Sequence, residues 1–324
     1  MAKPLKINQQ EYQQSFIQGP LAGYSCAPFR KLIWQNASPA LCYTEMLPAQ
    51  QICAEQGKIN RFTYRDPIEK TLCYQLSGNQ PKILSEACCI VAQMGADVID
   101  LNVGCPKNKI RKKGHGSALL QTPDLLHHCL SAMRRATSTT LFAKIRIDGH
   151  SEQNFNNDVM QAIISSNVDA IVVHARHWQD DYHQKCHWQQ VGNLTNDCPI
   201  PVILNGDLHD AKEIKRMKQF INSQHMMISR GSMGAPHLIH ALQTNQPLHF
   251  DINQTVVWFK QHILELAELI GEKSALLQAR SIIRYYAKPY GDAYIKNLQN
   301  LVIKISTLND LELALTRFLQ HHAC

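Results

Sequence analysis

Eight short apolar, β-branched runs recur in the first 231 residues, and they restrict the fold more than any other feature. They are "FIQGPLAG" (16–23), "LCYTEML" (41–47), "TLCYQLS" (71–77), "DVIDLNVGC" (97–105), "TLFAKIRI" (140–147), "AIVVHAR" (170–176), "PVILNGD" (201–207) and "HMMISRG" (225–231). Segments of helix period separate most of them, such as "KILSEACCIVAQMG" (82–95), "PDLLHHCLSAMRRA" (123–136) and "NDVMQAIISSN" (157–167). Between the second and third runs no helix stands out. Runs buried on both faces and alternating with helices belong to a parallel sheet. Eight such units in about 230 residues predict an α/β fold of the (β/α)8 TIM-barrel type rather than an open doubly wound sheet.

From about residue 246 the pattern is helix-period throughout, broken at Gly271 and "KPYG" (288–291). This predicts a C-terminal all-helical domain of about four helices. The expected division is therefore a barrel over 1–245 and a helical domain over 246–324. Arg280, Arg284, Lys288, Lys296 and Lys304 lie along the helical part. They could form a phosphate-contacting face, although a charge row on a helix is more often solvated surface.

Polar residues cluster at the carboxyl ends of the runs: Gln75, Asn102, Cys105, Lys144, Arg146, His174, Arg176, Asn205, Asp207 and Arg230. In a barrel those ends share one rim, where active sites form. Cys105 stands out because it sits in "GCP" at a run's end, and Lys107, Lys109, Arg111, Lys112 and Lys113 follow it. The other ten of the eleven cysteines show no CxxC and no metal-site spacing. Each is expected to pack as a small apolar group, Cys88 and Cys89 within a buried helix, and no metal is expected. The net charge of +7 suits a polyanionic partner or simply a basic soluble enzyme. The polar start "MAKPLKINQQEYQQ" has no apolar signal core, and no run reaches the length of a membrane span. A cytoplasmic protein is expected.

In order along the chain, "GPLAG", "YQLSG", "DLNVGCPKNKI…GSALL", "KIR", "VVHAR", "VILNGD" and "MISR" resemble the tRNA-dihydrouridine synthases, and among them the bacterial B-type. The long block around Cys105 is the most specific of these motifs. The resemblance implies an FMN enzyme that uses NADPH to reduce a D-loop uridine of tRNA to 5,6-dihydrouridine. It places Pro20, Leu21 and Ala22 beside the flavin ring, with Gln75 and Lys144 at the ring's polar edge. Asn205, Gly206 and Asp207, with Ser229 and Arg230, match the two loops that form the phosphate site. His174 would bond the flavin or the uracil carbonyl, and Cys105 would be catalytic. Asn102 and the five basic residues of the cysteine loop are expected to meet substrate; Arg146 and Arg176 have the fork to bind its carbonyls or phosphate and equally suit structural ion pairs. Glu45 matches an acidic residue of the family, acting either directly or through an ion pair with a rim arginine.

The chemistry agrees. Uracil C5=C6 is conjugated with the C4 carbonyl, so hydride adds at C6 and C5 then needs a proton. A thiol with an ordinary pKa near 8.5 is mostly protonated at neutral pH and can supply it, whereas a carboxylate is ionised. The chain departs from the family at Leu21, in "HARH" (174–177), at Arg111 where asparagine is common, and at Ser229, which replaces a glycine. No GxGxxG is present, so NADPH would have to bind over the flavin without a domain of its own. Two other readings stand beside this one: an FMN oxidoreductase of free pyrimidines, and a non-catalytic tRNA-binding relative. A monomer is expected.

Overall fold

In the computed structural model, residues 3–148, 157–181 and 183–322 are described. All eight runs form strands, labelled here by barrel position: β1 (Ser15–Gln18), β2 (Leu41–Tyr43), β3 (Leu72–Ser77), β4 (Val98–Val103), β5 (Thr140–Ile147), β6 (Ala170–His177), β7 (Val202–Asn205) and β8 (His225–Ile228). Every neighbouring pair is parallel, and β8 pairs back onto β1 through His225–Ser15 to Ile228–Gln18. The sheet is a closed TIM barrel, as the spacing of the runs predicts.

Alternation along each strand divides the apolar side chains into two sets. Ile17, Tyr43, Cys73, Val98, Phe142, Val172, Ile203 and Met227 fill the barrel interior, while Leu72, Tyr74, Ile99, Leu101, Ile145 and Val173 face the surrounding helices. A hairpin of Leu5–Ile7 and Gln10–Tyr12 turns at Asn8, whose φ is 52°. Its Leu5 and Ile7 are buried in the interior cluster, so the hairpin plugs the barrel's amino end.

Helices begin where the chemistry favours them. Proline stands in the first turn of Ala27–Asn36, Pro81–Gln93 and Pro123–Ala136, where a missing N–H costs nothing. After β2 the chain makes a second short contact with β3 at Leu47–Pro48, then a six-residue helix, Ala49–Ala54. The irregular stretch that follows is held by Glu69, which bonds Arg30 at 2.6 and 2.9 Å with both side chains fully buried. Cys88 is buried but its neighbour Cys89 is exposed, a correction to the expectation for that pair. Adjacent residues on a helix point about 100° apart, so one face cannot bury both.

The tail forms four helices, Ile252–Ile270, Glu272–Ala287, Asp292–Ile303 and Leu308–His322. The first is capped by the Asp251 side chain, which accepts from the Asn253 and Gln254 amides. It packs against helix Ala27–Asn36, and Lys31 pairs with Glu265 at 3.0 Å. At this junction His262 is fully buried, bonded through Nδ1 to the Tyr286 hydroxyl at 3.0 Å and lying 3.7 Å from Cys26 Sγ. Tyr24, in the loop after β1, meets the rings of His262 and Tyr285 edge-on at 5.5 Å each. The tail thus rests directly behind one sector of the barrel's carboxyl rim.

Candidate active site

The period of two in the strands sends Gln75, Asn102, Lys144, Arg146, His174, Arg176 and Asn205 into the barrel mouth. Neighbours around the rim are set by register: Gln75 beside Asp100, Asn102 beside Lys144, Arg146 beside His174, and His174 beside Asn205. Most of the expected residues therefore do converge on one site.

The cysteine loop is anchored on both sides of Cys105. Its N–H donates to Asn102 Oδ1 at 2.9 Å, and its carbonyl accepts from the Ser117 amide at 3.1 Å and the Ser117 hydroxyl at 3.0 Å. Gly116 has φ +62°, and a Cβ there would lie 2.7 Å from the Cys105 carbonyl oxygen. Glycine is what allows the 3-10 helix Gly116–Gln121 to back onto the cysteine. Cys105 is half-buried, unlike the seven cysteines buried in the core among the described residues.

Around it lies a polar floor. Asn102 Nδ2 donates to Gln75 Oε1 at 2.9 Å, and Gln75 Nε2 donates to Asp100 Oδ2 at 2.7 Å. Lys144 Nζ donates to Asn205 Oδ1 at 2.9 Å, and Asn205 Nδ2 donates to the Met227 carbonyl at 2.9 Å and Ser229 Oγ at 3.2 Å. Burial pushes the Lys144 amine down from its ordinary range; Asp100 opposes this and Arg146 adds to it. Burial pushes the Asp100 carboxyl up, opposed by the Gln75 bond and by Lys144. Burial, then the charges of Lys144, Arg146, Arg176 and Arg230, hold the His174 imidazole well below its usual pKa, hence neutral at pH 7.

The loops after β7 and β8 are cross-linked. Asp207 Oδ2 accepts from Arg176, and its Oδ1 accepts from Arg230 at 3.0 Å. Burial would raise the Asp207 carboxyl, but the bonds of His209, Arg176 and Cys186 and the Arg176 charge hold it below the usual carboxylate range. Gly206 has φ +129°, and a Cβ there would fall 2.8 Å from Cys186 Sγ and 3.1 Å from His174 Cδ2. The serine that departs from the family pattern, Ser229, stands at φ −121°, outside the left-handed region that would favour glycine.

Several expected substrate contacts are placed differently. Arg146 is buried and donates to the His177 and Asp180 carbonyls at 2.9 and 3.1 Å. Arg176 is buried against the Gln184 carbonyl and Asp207. Arg111 does not project with Lys107, Lys109, Lys112 and Lys113, which are all exposed. Its guanidinium bonds Ser117 Oγ at 2.9 Å and Gln121 Oε1 at 3.1 Å, and lies 3.6 Å from the centre of the Trp178 ring. A planar, weakly hydrated cation stacks on an aromatic face more readily than a lysine does. Glu45 pairs with Arg61 of the stretch after β2 rather than with a rim arginine, and accepts from the Gly23 amide. With the Ser25 hydroxyl on Leu21 N–H at 2.9 Å, it fixes the Pro20–Ala22 turn.

Sequence reasoning missed Asp100, Ser117, Trp178 and Cys186. Asp100 carried a signal, a carboxylate at an inward position of an apolar strand. Among the described residues no group of three or more His, Cys, Asp or Glu gathers as a metal site would need. No described helix is long and apolar enough to cross a membrane.

The family model described as dihydrouridine synthase matches residues 17–320, nearly the whole chain. The chain belongs to the dihydrouridine synthase family. Among the relatives, it is 28% identical over 297 residues to the probable tRNA-dihydrouridine synthase 1 of Synechocystis sp., covering 90% of this chain and 83% of that one. It is 25% identical over 324 residues to tRNA-dihydrouridine synthase B of Proteus vulgaris, covering 98% of this chain and 100% of that one. Among solved structures, histamine dehydrogenase from Rhizobium sp. 4-9 superposes with a TM-score of 0.56 at 10% identity, covering 81% of this chain and 50% of that one. A 2-naphthoyl-CoA reductase gives a TM-score of 0.58 at 8% identity, covering 76% and 52%. The chain spans about half the length of each of these two structures. Their likeness concerns the barrel fold alone, and the family assignment rests on the synthases.

Proposed function

We propose that this protein reduces a D-loop uridine of tRNA to 5,6-dihydrouridine, with FMN as its prosthetic group and NADPH as reductant. The observation that carries the reading is the doubly anchored, half-buried Cys105 beside a polar floor that ends in Lys144 and His174.

The residues suit a flavin. The Pro20–Ala22 turn gives a partly apolar, partly exposed surface, and Gln75 and Lys144 supply donors for the polar edge of a ring. Gly206 lets Cys186 and His174 pack against the backbone, where a Cβ would fall 2.8 and 3.1 Å from them, and Asp207 beside it holds Arg230 after β8 at 3.0 Å. In this reading Gln75, Lys144, His174 and Asn205 hold the ring side, while Gly206, Ser229 and Arg230 hold the phosphate side. Asp207 acts by fixing Arg230 and Arg176. A flavin held by these residues would supply the hydride that uracil C6 takes up.

The chain's own residues do the rest. Lys144 places a cation where negative charge develops, and it does so in a desolvated site that strengthens the effect. Neutral His174 hydrogen-bonds without adding charge. Cys105 Sγ gives its proton to C5, completing the reduction. Asn102 and Ser117 hold the Cys105 backbone from both sides.

The barrel, 1–245, would carry this chemistry and the helical part, 246–324, would hold tRNA. Arg284 supports this, since its guanidinium bonds Tyr285, whose ring packs on Tyr24 beside the Pro20–Ala22 turn. Lys107, Lys109, Lys112 and Lys113 are exposed on the adjoining loop and provide further phosphate contacts. The protein would work in the cytoplasm, as a monomer.

The purified protein is expected to be yellow, to release FMN on denaturation, and with NADPH to form dihydrouridine in unmodified tRNA. Activity on free uridine or orotate but not on tRNA would refute the substrate. A colourless protein that FMN does not reconstitute would refute the flavin.

A further inference from the structure

We propose that Asp100 is the positioning residue that fixes the direction of a hydrogen-bond chain running from the barrel interior to the backbone of Cys105. The inference deepens the proposed reaction, on which it rests for its consequence in turnover, but the chain itself is a property of the protein alone.

The chain has four members. Asp100 Oδ2 accepts from Gln75 Nε2 at 2.7 Å; Gln75 Oε1 accepts from Asn102 Nδ2 at 2.9 Å; Asn102 Oδ1 accepts from the N–H groups of Cys105 at 2.9 Å and Gly104 at 3.3 Å. The two central members are primary amides, each with a donor end and an acceptor end of nearly equal size. Taken alone, either could turn over. The far end demands an acceptor, because backbone N–H groups only donate. The near end demands a donor, because an ionised carboxylate only accepts. Both ends therefore require the same direction, and only one arrangement satisfies all the bonds.

An amide at position 100 would remove that requirement. It could donate to Gln75, turn both amides over, and set Asn102 Nδ2 against the Cys105 and Gly104 N–H groups, leaving those groups without an acceptor. Asp100 is suited to the task by its setting. It is fully buried, and its second oxygen, Oδ1, has no hydrogen-bond partner among the described residues. Burial raises its carboxyl, opposed by the Gln75 bond and by Lys144. In the ionised form both oxygens only accept, and it is this form that fixes the direction of the chain. With the Ser117 bonds to the Cys105 carbonyl, the cysteine backbone is held from both sides, and Asp100 governs one of them.

The test is amide hydrogen exchange in Asp100→Asn and in Asp100→Asn combined with Gln75→Glu. The double variant moves the carboxylate one place along the chain, so the side chain at position 75 accepts from both residue 100 and Asn102. In Asp100→Asn the Gly104 and Cys105 amides are expected to exchange about tenfold faster or more, while the β4 and β5 ladder keeps its protection. In the double variant protection at Cys105 is expected to return. Turnover on tRNA should fall about tenfold in Asp100→Asn with KM little changed. Unchanged exchange at Cys105, equal loss across β4, failure of the double variant to restore protection, or a single variant that no longer folds would each overturn the proposal. If the wild-type protein did not reduce uridine, the exchange pattern would still decide the matter of Asp100.

Discussion

Acidification should weaken the fold through His262, the imidazole buried where the tail meets the barrel. Burial lowers its pKa from 6.5 to about 3. In the unfolded chain the ring titrates normally, so between these values the unfolded state binds a proton that the folded state does not. Stability is therefore complete above pH about 6.5 and is lost as pH falls, by about 1.4 kcal/mol per unit once the unfolded ring is protonated. From pH 7.5 to 5.5 the loss from this one residue is about 1.4 kcal/mol, because the ring's ordinary pKa lies midway through the interval. Other lowered histidines, such as His174, His225 and His237, add losses of the same sign, so the contribution must be isolated by difference. His262→Gln keeps a polar side chain between Cys26 and Tyr286 but cannot titrate. Urea unfolding of both proteins at pH 7.5 and 5.5 gives the difference. The wild type should lose about 1.4 kcal/mol more than the variant over that interval. Equal losses would mean that His262 takes up its proton in the folded state, and the buried junction described here would be wrong.

Glu69→Ala leaves the Arg30 guanidinium buried with only the Ser25 and Tyr64 carbonyls at 2.8 and 2.7 Å. A loss of about 3–5 kcal/mol is expected in denaturant unfolding, and a loss below about 1 kcal/mol would refute the buried-pair reading. Neutralising Lys112 and Lys113 together should weaken tRNA binding and reduce its salt slope by about two at most, roughly 0.7–0.9 for each phosphate no longer neutralised. An unchanged slope would show that this turn does not meet phosphate.

Much of this architecture is legible in the chain because it rests on local pattern. A short apolar run marks each barrel strand, and helix Pro123–Ala136 coincides with its segment. What depends on distant partners is hidden. The hairpin at Leu5–Tyr12 has only three residues a side and owes its order to burial under the barrel. Helix Ala49–Ala54 is too short for a period to show, and the stretch after it is fixed by the buried Arg30–Glu69 pair. In the site, the strand-end residues are evident from position, but their use is not. Arg111 lies in a basic run and looks like its neighbours until Trp178, 67 positions along the chain, is brought beneath it. Arg146 and Arg176 read equally as substrate ligands or as structural ion-pair members, and carbonyls and a carboxylate from later loops surround them. Asp100 needs its orphaned oxygen and the Gln75 bond to acquire a role.

The central claim is that Cys105 delivers the proton to uracil C5, and Cys105→Ala tests it most directly. The measurement is dihydrouridine formed per enzyme in unmodified tRNA under single-turnover conditions, alongside flavin content, tRNA affinity and NADPH oxidation with oxygen as acceptor. The variant should keep its flavin, its affinity and its NADPH oxidation, and form dihydrouridine about two to four orders of magnitude more slowly, as removal of a general acid does. Reduction of tRNA at nearly the wild-type rate would contradict the account, since the proton would then come from another group.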